Sequence, residues 1–358
     1  MSLKSYMGHR VRECLVHMQR IGQRGEKGRL IVLPNAPRSS GGSNLLWGWE
    51  LSAELRRLGW RTTVLPPELD LCQRRRVIRM EAADAIFMIK GRHPLNRPDL
   101  YGQVPCIYVL DDADYLDPNQ SDQVVACCRG SEAVIAGNEV VADWCRQHND
   151  NVSVVWVSHP MPKRRALLPN AQRSPVVAWA HAASWFYPVE AEFIQRVILG
   201  LARRRSFEFW LYGVRSQEEG QKYLEPIRDA GVTVRTFSFM PSYQQYLKTL
   251  EEVAVGLHPV CLENPYSQGK SFGKILSYIA ADVAVVTHNV LDHKKFFCHE
   301  KNGMLPNNVE EYVECVDQLL GDPIFRQRLV DNCYDDFVEQ LSTPVAARKV
   351  DKLLSSVC

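Results

Sequence analysis

The chain has 358 residues, enough for two α/β domains rather than one small domain. Hydrophobic residues make up 46% and charged residues 23%, which is typical of a soluble globular protein with material for two cores. The formal charge of +2 argues against a general nucleic-acid binder, whose affinity depends on a strong basic excess.

The cysteine and hydropathy patterns both bear on location. Eleven cysteines are scattered without a CxxC pair, which indicates reduced thiols rather than a disulfide framework or a zinc site. The chain has no apolar run of about 18 residues, and its N-terminus lacks the apolar core of a secretory signal. We therefore expect a cytoplasmic protein and no nucleic-acid partner. Peripheral contact with the inner face of a membrane stays open.

Residues 4–21 predict an amphipathic lead-in helix before the first strand. Side chains that suit a buried face recur at helical spacing, at Val11, Cys14, Leu15, Met18 and Ile21. Basic residues of this segment, including Arg10, Arg12 and Arg20, could touch anionic lipid. The alternative is a helix that packs on its own domain and leaves a solvated face.

Strands that alternate with helices then predict a doubly wound parallel sheet. The strand segments are 29–34, 61–65, 85–89, 106–110, 133–136 and 152–155, and the helical segments are 45–58, 71–82, 121–128 and 139–147. Gly41 and Gly42 lie in the loop after the first strand, where a bare backbone can approach a ligand. A flexible loop without a ligand is the alternative.

Polar residues follow two of these strands. Lys90, Arg92 and His93 come after AIFMI, and a histidine at such an edge is a candidate for orienting a hydroxyl of a ligand such as a sugar. A structural or solvent-facing role is the alternative. Asp111 and Asp112 come after CIYVL and could form a base or metal pair, or could cap a helix and order the loop.

Residues 163–175 are basic and irregular, which predicts a linker. A second series of elements follows, with strands at 176–180, 207–212, 233–236, 253–257 and 283–287 and helices at 188–204, 218–230, 243–250, from about 271, 309–320, 323–339 and 344–356. We therefore expect an N-terminal domain at 1–162 and a C-terminal domain at 176–340. The segment 341–358 is a candidate to pack back on the N-terminal domain.

The loop after strand 253–257 is the main candidate site. It holds Gly269, Lys270, Ser271 and Lys274 at the expected start of a helix. Free backbone N–H groups and the helix dipole favour an anion there, and two ammonium groups add charge for a phosphate or diphosphate. Two solvated surface lysines are the alternative.

Four segments resemble the GT-B glycosyltransferases, in particular the family 4-like group. They are ENPYSQGKSFGKILSYIAADVAVVTHN at 263–289, DDAD with AVIAGNEVVADWC at 111–145, FWLYG at 209–213, and KNGMLPNNVEEYVECVDQLLGDPIFRQRL at 301–329. The resemblance covers nearly the whole chain in order. It implies a GT-B fold, with two Rossmann-like doubly wound domains facing across a cleft.

The resemblance implies a site for a nucleoside-diphosphate sugar donor. Lys270 and Lys274 would bind its diphosphate and stabilise the charge on the leaving group, with Ser271 and the backbone near Gly269 as further donors. The other implied contacts are Phe239 and Met240 along the base, Tyr212, Gly213 and Arg215 on the opposite wall, and Glu263 at the sugar hydroxyls.

Two positions depart from the family pattern. Ser277 stands where many relatives carry a Glu for the nucleotide ribose, and Gly269 holds the earlier position of that two-Glu pattern. His181 stands where a Gly usually follows the first strand of the second domain. A carboxylate hydrogen bond to a ribose would contribute about 1.5 to 3 kcal/mol, so we expect weakened donor affinity.

The resemblance therefore implies a glycosyltransferase that moves a sugar to a glycan, lipid-linked or protein acceptor, with retention and without a metal or other cofactor. Lys270, Lys274 and His93 are the candidate catalytic residues. One alternative is a non-catalytic GT-B-like glycan-binding or partner subunit, suggested by Ser277 and His181. The other is a GT-B epimerase of nucleoside-diphosphate sugars, which needs more carboxylates near the sugar than the one evident residue, Glu263.

Overall fold

The computed structural model describes residues 11, 14–19, 21–23, 25–38, 42–160, 168–181, 187–214 and 217–358, without the side chains of 217–219. The chain divides into two compact units. The first unit holds Met1–Pro160, Gly269–Ser271 and Leu341–Cys358, and the second holds Met161–Gln268 and Phe272–Gln340. No helix within the described ranges is long and apolar enough to cross a bilayer.

A six-stranded parallel sheet forms the first unit, in the order β2-β1-β3-β4-β5-β6. Its strands are β1 Gly28–Leu33, β2 Trp60–Val64, β3 Ala85–Ile89, β4 Cys106–Leu110, β5 Ala133–Ala136 and β6 Val152–Val154. The central strands are buried along their whole length, as parallel strands covered by helices on both faces must be. The strand order reverses between β1 and β3, where ligands of such sheets bind.

The helices of the first unit follow its strands. A π-helical turn, Asn44–Glu50, leads into α1 Leu51–Arg57, and the others are α2 Leu71–Glu81, α3 Ser121–Gly130, α4 Glu139–Cys145 and the last helix of the chain, α12 Thr343–Val357. Helix α12 packs against α1. Its Asp351 carboxylate accepts from Lys27 Nζ and from Trp60 Nε1, both at 2.8 Å. These bonds hold the C-terminal helix to the start of the first unit.

A five-stranded parallel sheet forms the second unit, in the order β11-β10-β7-β8-β9. Its strands are β7 Val176–Ala180, β8 Glu208–Tyr212, β9 Thr233–Phe237, β10 Val255–His258 and β11 Ala284–Thr287. Its helices are α5 Pro188–Ala202, α6 Gln217–Asp229, α7 Tyr243–Leu250, α8 Gly273–Ala280, α9 His293–Phe296, α10 Val309–Gly321 and α11 Pro323–Gln340. The order reverses between β7 and β10, so the loops after these two strands border the expected ligand position.

A buried polar cluster holds the segment around Asn170, which precedes β7, against the rest of the second unit. Arg326 on α11 is 2% exposed, and its guanidinium donates to Leu319 O at 2.7 Å and to Asn170 O at 2.9 Å. Asn170 Nδ2 donates in turn to Ala254 O at 3.0 Å and to Asp282 O at 2.7 Å. The cluster satisfies carbonyls that would otherwise be buried without partners.

The prediction of two doubly wound α/β sheets is confirmed. Most strands begin and end within one or two residues of the predicted positions. The short helix α9 was not predicted, and the helix predicted at 45–58 begins as a π-helical turn. In the predicted linker, residues 163–167 lie outside the described residues, and Asn170–Gln172 forms a 3-10 turn of the second unit.

Candidate anion site at the start of helix α8

Helix α8 begins without a side-chain cap. A 3-10 turn, Pro265–Gly269, precedes it, and Phe272 occupies the N-cap position without capping the first turn. Ser271 is 9% exposed, and its hydroxyl has no hydrogen-bond partner among the described residues. Because a buried hydroxyl without a partner costs about 1 to 3 kcal/mol, Ser271 is a candidate hydrogen-bond donor to a ligand.

Lys274 lies in the first turn of α8 and is half-buried. Its Nζ lies 5.7 Å from the ring centroid of Tyr246 on α7, within the range of a cation–π contact. The positive end of the helix dipole and the Lys274 ammonium both favour negative charge at this end of α8. The arrangement can bind a phosphate group.

Ser277 packs beneath this first turn. Its side chain is 1% exposed, and its hydroxyl donates to Lys274 O at 2.6 Å. The phenol of Tyr246 lies 2.9 Å from the same Ser277 Oγ and must donate to it, since the serine proton is already used. Burial raises the pKa of Tyr246, which keeps the phenol protonated as a donor. Ser277 therefore serves as a link between α7 and α8.

The segment just before α8 is fixed within the first unit. A Cβ at Gly269 would lie 2.5 Å from the backbone nitrogen of Ala113, so only glycine fits there. Asn138 caps α4 by accepting from Val141 N, and its Nδ2 donates to Lys270 O at 3.0 Å. The backbone of residues 269 and 270 is thus positioned by residues that follow β4 and β5.

Helix α5, which follows the loop after β7, carries a buried carboxylate that the sequence analysis missed. Glu190, in the first turn of α5, is 3% exposed. It accepts hydrogen bonds from Ser267 Oγ and, at 3.3 Å, from Asn264 Nδ2. These bonds fix the loop that leads to α8. The only sequence signal for Glu190 is its place just after the Pro that opens a predicted helix.

His181 and Glu263 lie at the same carboxyl edge of the second sheet. His181 follows β7, with its ring centroid 4.0 Å from that of Tyr187. Glu263 lies in the loop after β10 and is exposed. Its predicted bonds to sugar hydroxyls stay a prediction.

A second polar cluster lies at the ends of β10 and β11. Thr287 Oγ1 donates to His258 O at 2.9 Å and lies 3.0 Å from His293 Nδ1. Because the threonine has one proton, His293 Nδ1 carries the hydrogen of the second bond. The ring of Phe272 lies 5.2 Å from that of His293. Helix α9, which supplies His293, is too short for a periodic sequence signal.

The residues predicted to contact the nucleoside differ in how deeply they are buried. Tyr212 is 3% exposed, stacks on Phe237 at 4.4 Å and donates to Thr249 Oγ1 at 3.1 Å, so its side chain is part of the core of the second unit. Gly213 has a φ of +84°, which favours glycine. Phe239 is 46% exposed and Met240 is half-buried. Their contacts with a base stay predictions.

Gly41, Gly42 and Arg215 were also predicted to contact a ligand. Arg215 and Gly41 lie outside the described residues. Gly42 has open space around it, because an added Cβ would have no heavy atom within 4 Å. The close approach of backbone to ligand predicted at 41 and 42 stays a prediction.

The carboxylates after β4 form ion pairs. Lys90 has a φ of +53° and is 4% exposed, with its Nζ 2.9 Å from Asp111 Oδ1 and paired also with Asp112. Burial lowers the pKa of Lys90, but the two carboxylates raise it by more, above its ordinary value. Arg92 pairs with Asp114. The geometry favours loop ordering by Asp111 and Asp112 over a base or metal pair.

His93 lies beside a buried guanidinium. Its Nδ1 accepts from Leu95 N at 3.0 Å, and Arg74 lies 3.5 Å from the ring. Burial lowers the pKa of His93, and the charge on Arg74 lowers it further, so the imidazole is neutral near pH 7. Within the described ranges, no three His, Cys, Asp or Glu side chains are grouped so as to hold a metal ion.

No protein-family model and no curated protein sequence matches the chain. Solved structures of glycosyltransferases do match. Sucrose-phosphate synthase from Thermosynechococcus elongatus has a TM-score of 0.69 at 12% identity, over 92% of this chain and 99% of that chain. Anabaena HepE in complex with UDP and glucose has a TM-score of 0.67 at 12% identity, over 92% and 100%.

A third match is a larger protein. S. aureus TarM, in complex with fondaparinux, alpha-GlcNAc-glycerol and UDP, has a TM-score of 0.57 at 15% identity over 79% of this chain, which spans only 58% of the TarM chain. All three are similar to this chain in fold. The chain has the fold of the GT-B glycosyltransferases, with two Rossmann-like units.

Proposed function

We propose that the protein is a glycosyltransferase that takes a sugar from a nucleoside-diphosphate sugar and transfers it to a carbohydrate-containing acceptor. The observation that carries the proposal is the start of α8, where the unpartnered hydroxyl of Ser271, an uncapped helix N-terminus and the ammonium of Lys274 follow one another along the chain. The fold and the UDP complexes of HepE and TarM support the same reading.

The groups at the start of α8 would contribute to catalysis by electrostatic stabilisation. Negative charge grows on the nucleoside diphosphate as the bond from the sugar carbon to the phosphate oxygen breaks. Lys274, the N–H groups of the first turn and the Ser271 hydroxyl would stabilise that charge more in the transition state than in the bound donor. Tyr246 would keep the ammonium in place through its ring.

Finer features of the proposal come from the sequence resemblance. Lys270 would supply the second cation, Glu263 would bond to sugar hydroxyls, and Phe239 and Met240 would lie along the base. His93, which was predicted from its position after a strand rather than from the resemblance, would orient an acceptor hydroxyl. The transfer would proceed with retention and without a metal ion, to a glycan, a lipid-linked precursor or a protein.

A non-catalytic role is the second candidate, and one observation favours it. Ser277 stands where the family pattern has a carboxylate, and its hydroxyl is occupied by Tyr246 and by Lys274 O. A donor bound there would lack that carboxylate. A glycan-binding or partner subunit would need no such contact.

The experiment that separates the two candidates is turnover of UDP-, GDP- and dTDP-sugars by the full chain. Lys274→Ala is compared with Lys248→Ala, which removes an exposed lysine from the neighbouring helix α7. We expect at least one donor to be turned over, and Lys274→Ala to lower kcat about tenfold or more while Lys248→Ala does not. Equal turnover in both variants excludes the role of Lys274, and no turnover of any donor favours the non-catalytic candidate.

A further inference from the structure

Glu190 joins the two loops that border the expected ligand position in the second unit. It is the third residue of α5, the helix that follows the loop after β7, and it is buried. One carboxylate oxygen accepts from Ser267 Oγ, and the other accepts from Asn264 Nδ2 at 3.3 Å. Both donors lie in the loop after β10. Because the strand order reverses between β7 and β10, the bonds of Glu190 span the point of reversal.

The position of Glu190 in its helix is one where a Glu often bonds back to the N-cap backbone. Here both oxygens of Glu190 accept from side chains of the other loop. Burying a carboxylate beside neutral donors is unfavourable, and the positive end of the α5 dipole offsets only part of that cost. The expected gain in stability is therefore small, which indicates a role in shaping the two loops.

Asn264 also orders the turn that carries Tyr266. Its Oδ1 accepts from Tyr266 N at 3.1 Å, and its backbone O accepts from Ser267 N at 2.9 Å. The Tyr266 ring lies edge-on to the ring of Tyr187, the N-cap residue of α5, with the centroids 6.3 Å apart. The bonds of Glu190 therefore fix this turn and the facing of two aromatic rings from the two loops.

The chemistry of these two loops suits a sugar. The exposed carboxylate of Glu263 directly precedes the turn, and the rings of Tyr187 and Tyr266 are half-buried. A carboxylate accepts hydrogen bonds from hydroxyls, and aromatic rings pack against the apolar faces of a polyhydroxylated ring. A bare phosphate has no use for either kind of group.

The proposed phosphate contact is held by other residues. Lys274 lies over the ring of Tyr246, and its backbone oxygen accepts from Ser277. These contacts join α7 to α8 and are separate from the bonds of Glu190. Loss of the Glu190 bonds should therefore disturb the sugar end of a donor more than its diphosphate.

We propose that Glu190 is a positioning residue for the sugar of the donor. By bonding to Asn264 and Ser267 it holds the turn that presents Glu263 and Tyr266 to the sugar. Glu190 itself contacts no part of the donor, because it is buried and both of its oxygens are engaged. The inference rests on the proposed sugar transfer and assigns to it a residue that acts through others.

The test exchanges donor and acceptor in the bond between Asn264 and Glu190. Glu190→Ala removes the bond, and Asn264→Asp sets two carboxylates against each other. The double variant Asn264→Asp, Glu190→Gln restores the bond in the reverse direction. It also keeps an acceptor for Ser267 Oγ and one for Tyr266 N. The matched control is Glu192→Gln, which neutralises an exposed glutamate of the same helix.

The turnover assay uses the UDP-, GDP- or dTDP-sugar that the wild type turns over fastest, well below the melting temperature of every variant. We expect Glu190→Ala and Asn264→Asp each to lower kcat about tenfold or more, and Glu192→Gln to leave it unchanged. The double variant should regain a kcat within about threefold of the wild type. Calorimetry with the matching nucleoside diphosphate should show an affinity within about threefold of the wild type for every variant.

A purely structural role for Glu190 predicts lower melting temperatures but wild-type kcat in the folded single variants, and that result would overturn the proposal. So would a double variant that stays as slow as Asn264→Asp. An affinity for the nucleoside diphosphate that falls as much as kcat would overturn the assignment to the sugar. No turnover by the wild type would overturn the proposed function and this inference together, whereas wild-type turnover with equal kcat in Glu190→Ala overturns the inference alone.

Discussion

The Tyr246 phenol and the Ser277 hydroxyl lie 2.9 Å apart and join helix α7 to the first turns of helix α8. The Ser277 hydroxyl donates in turn to Lys274 O, and the Lys274 ammonium lies over the Tyr246 ring. Three residues of two helices thus form a closed set of contacts around the Lys274 cation in the first turn of α8. The position of that cation depends on the phenol as well as on the helix.

Removing either hydroxyl should expose this dependence. Tyr246→Phe and Ser277→Ala each delete one end of the same hydrogen bond, which is worth about 1 kcal/mol. We expect the double variant to lose less unfolding free energy than the sum of the two single losses, with a coupling of about 1 kcal/mol. Denaturant unfolding of the four proteins measures it, and strictly additive losses would show that the bond is absent in solution.

Gly269 should tolerate no side chain. A Cβ would lie 2.5 Å from Ala113 N and 2.6 Å from Ala113 Cβ, so Gly269→Ala must move backbone that also carries Lys270. We expect a loss of about 1 to 3 kcal/mol of stability. Gly273→Ala is the matched control, because no atom lies within 4 Å of its added Cβ. Thermal unfolding of both variants measures the difference, and equal melting temperatures would contradict the close approach.

Arg326 should be essential to the second unit. Truncation by Arg326→Ala leaves Leu319 O and Asn170 O buried without their donor. Burial lowers the pKa of Arg326, which shows that burying its charge is unfavourable. The hydrogen bonds to the two carbonyls offset part of that penalty. We expect a loss of about 3 to 5 kcal/mol, because buried acceptors lose their donor and the truncated side chain leaves a cavity. Arg328→Ala removes an exposed arginine two residues away and should change the unfolding free energy by less than about 1 kcal/mol.

His288 should make the second unit sensitive to acid. Its Nδ1 accepts from Val260 N at 2.9 Å and lies 3.0 Å from the Tyr312 hydroxyl, and the side chain is 7% exposed. Burial lowers the pKa of His288 to about 4 from an ordinary 6.5. The unfolded chain therefore binds a proton at a higher pH than the folded chain does.

Stability contributed by neutral His288 is fully present above pH 6.5 and is lost as the pH falls toward 4. The loss for this one group is about 3 kcal/mol. His288→Gln keeps a hydrogen-bond acceptor that does not titrate, so its unfolding free energy should fall less steeply between these two pH values. His148→Gln, in the first unit, is the control. Parallel pH profiles for the wild type and His288→Gln would show that His288 is not buried in its neutral form.

The sequence predicted the fold well because parallel strands buried on both faces are continuous apolar runs. The strand at Ala85–Ile89 and the helix at Tyr243–Leu250 were predicted to the residue. Gly269 and Ser271 were recognised at the helix start from residue type and spacing alone. Their environment was not predicted, because Ala113 and Asn138 approach them from far along the chain.

Sequence periodicity also gave no information about which side of the lead-in helix faces the core. The apolar spacing of Leu15 and Met18 suggested a buried face, whereas Val16 is the residue that packs inside. The deciding contacts are made by Gln19 and Gln23 with an edge strand, and no local pattern encodes them. Likewise, the sequence left Asp111 open as part of a base or metal pair or as a residue that orders the loop, and its ion pair with Lys90 favours the second role.

The most direct measurement of the central claim is calorimetric binding of UDP, GDP and dTDP to the wild type, Lys274→Ala and Lys248→Ala. If the start of α8 holds a diphosphate, at least one of the three ligands binds the wild type, Lys274→Ala binds it about tenfold or more weakly, and Lys248→Ala binds it equally. Equal affinity of the wild type and Lys274→Ala, or no binding of any of the three ligands to the wild type, would contradict the claim.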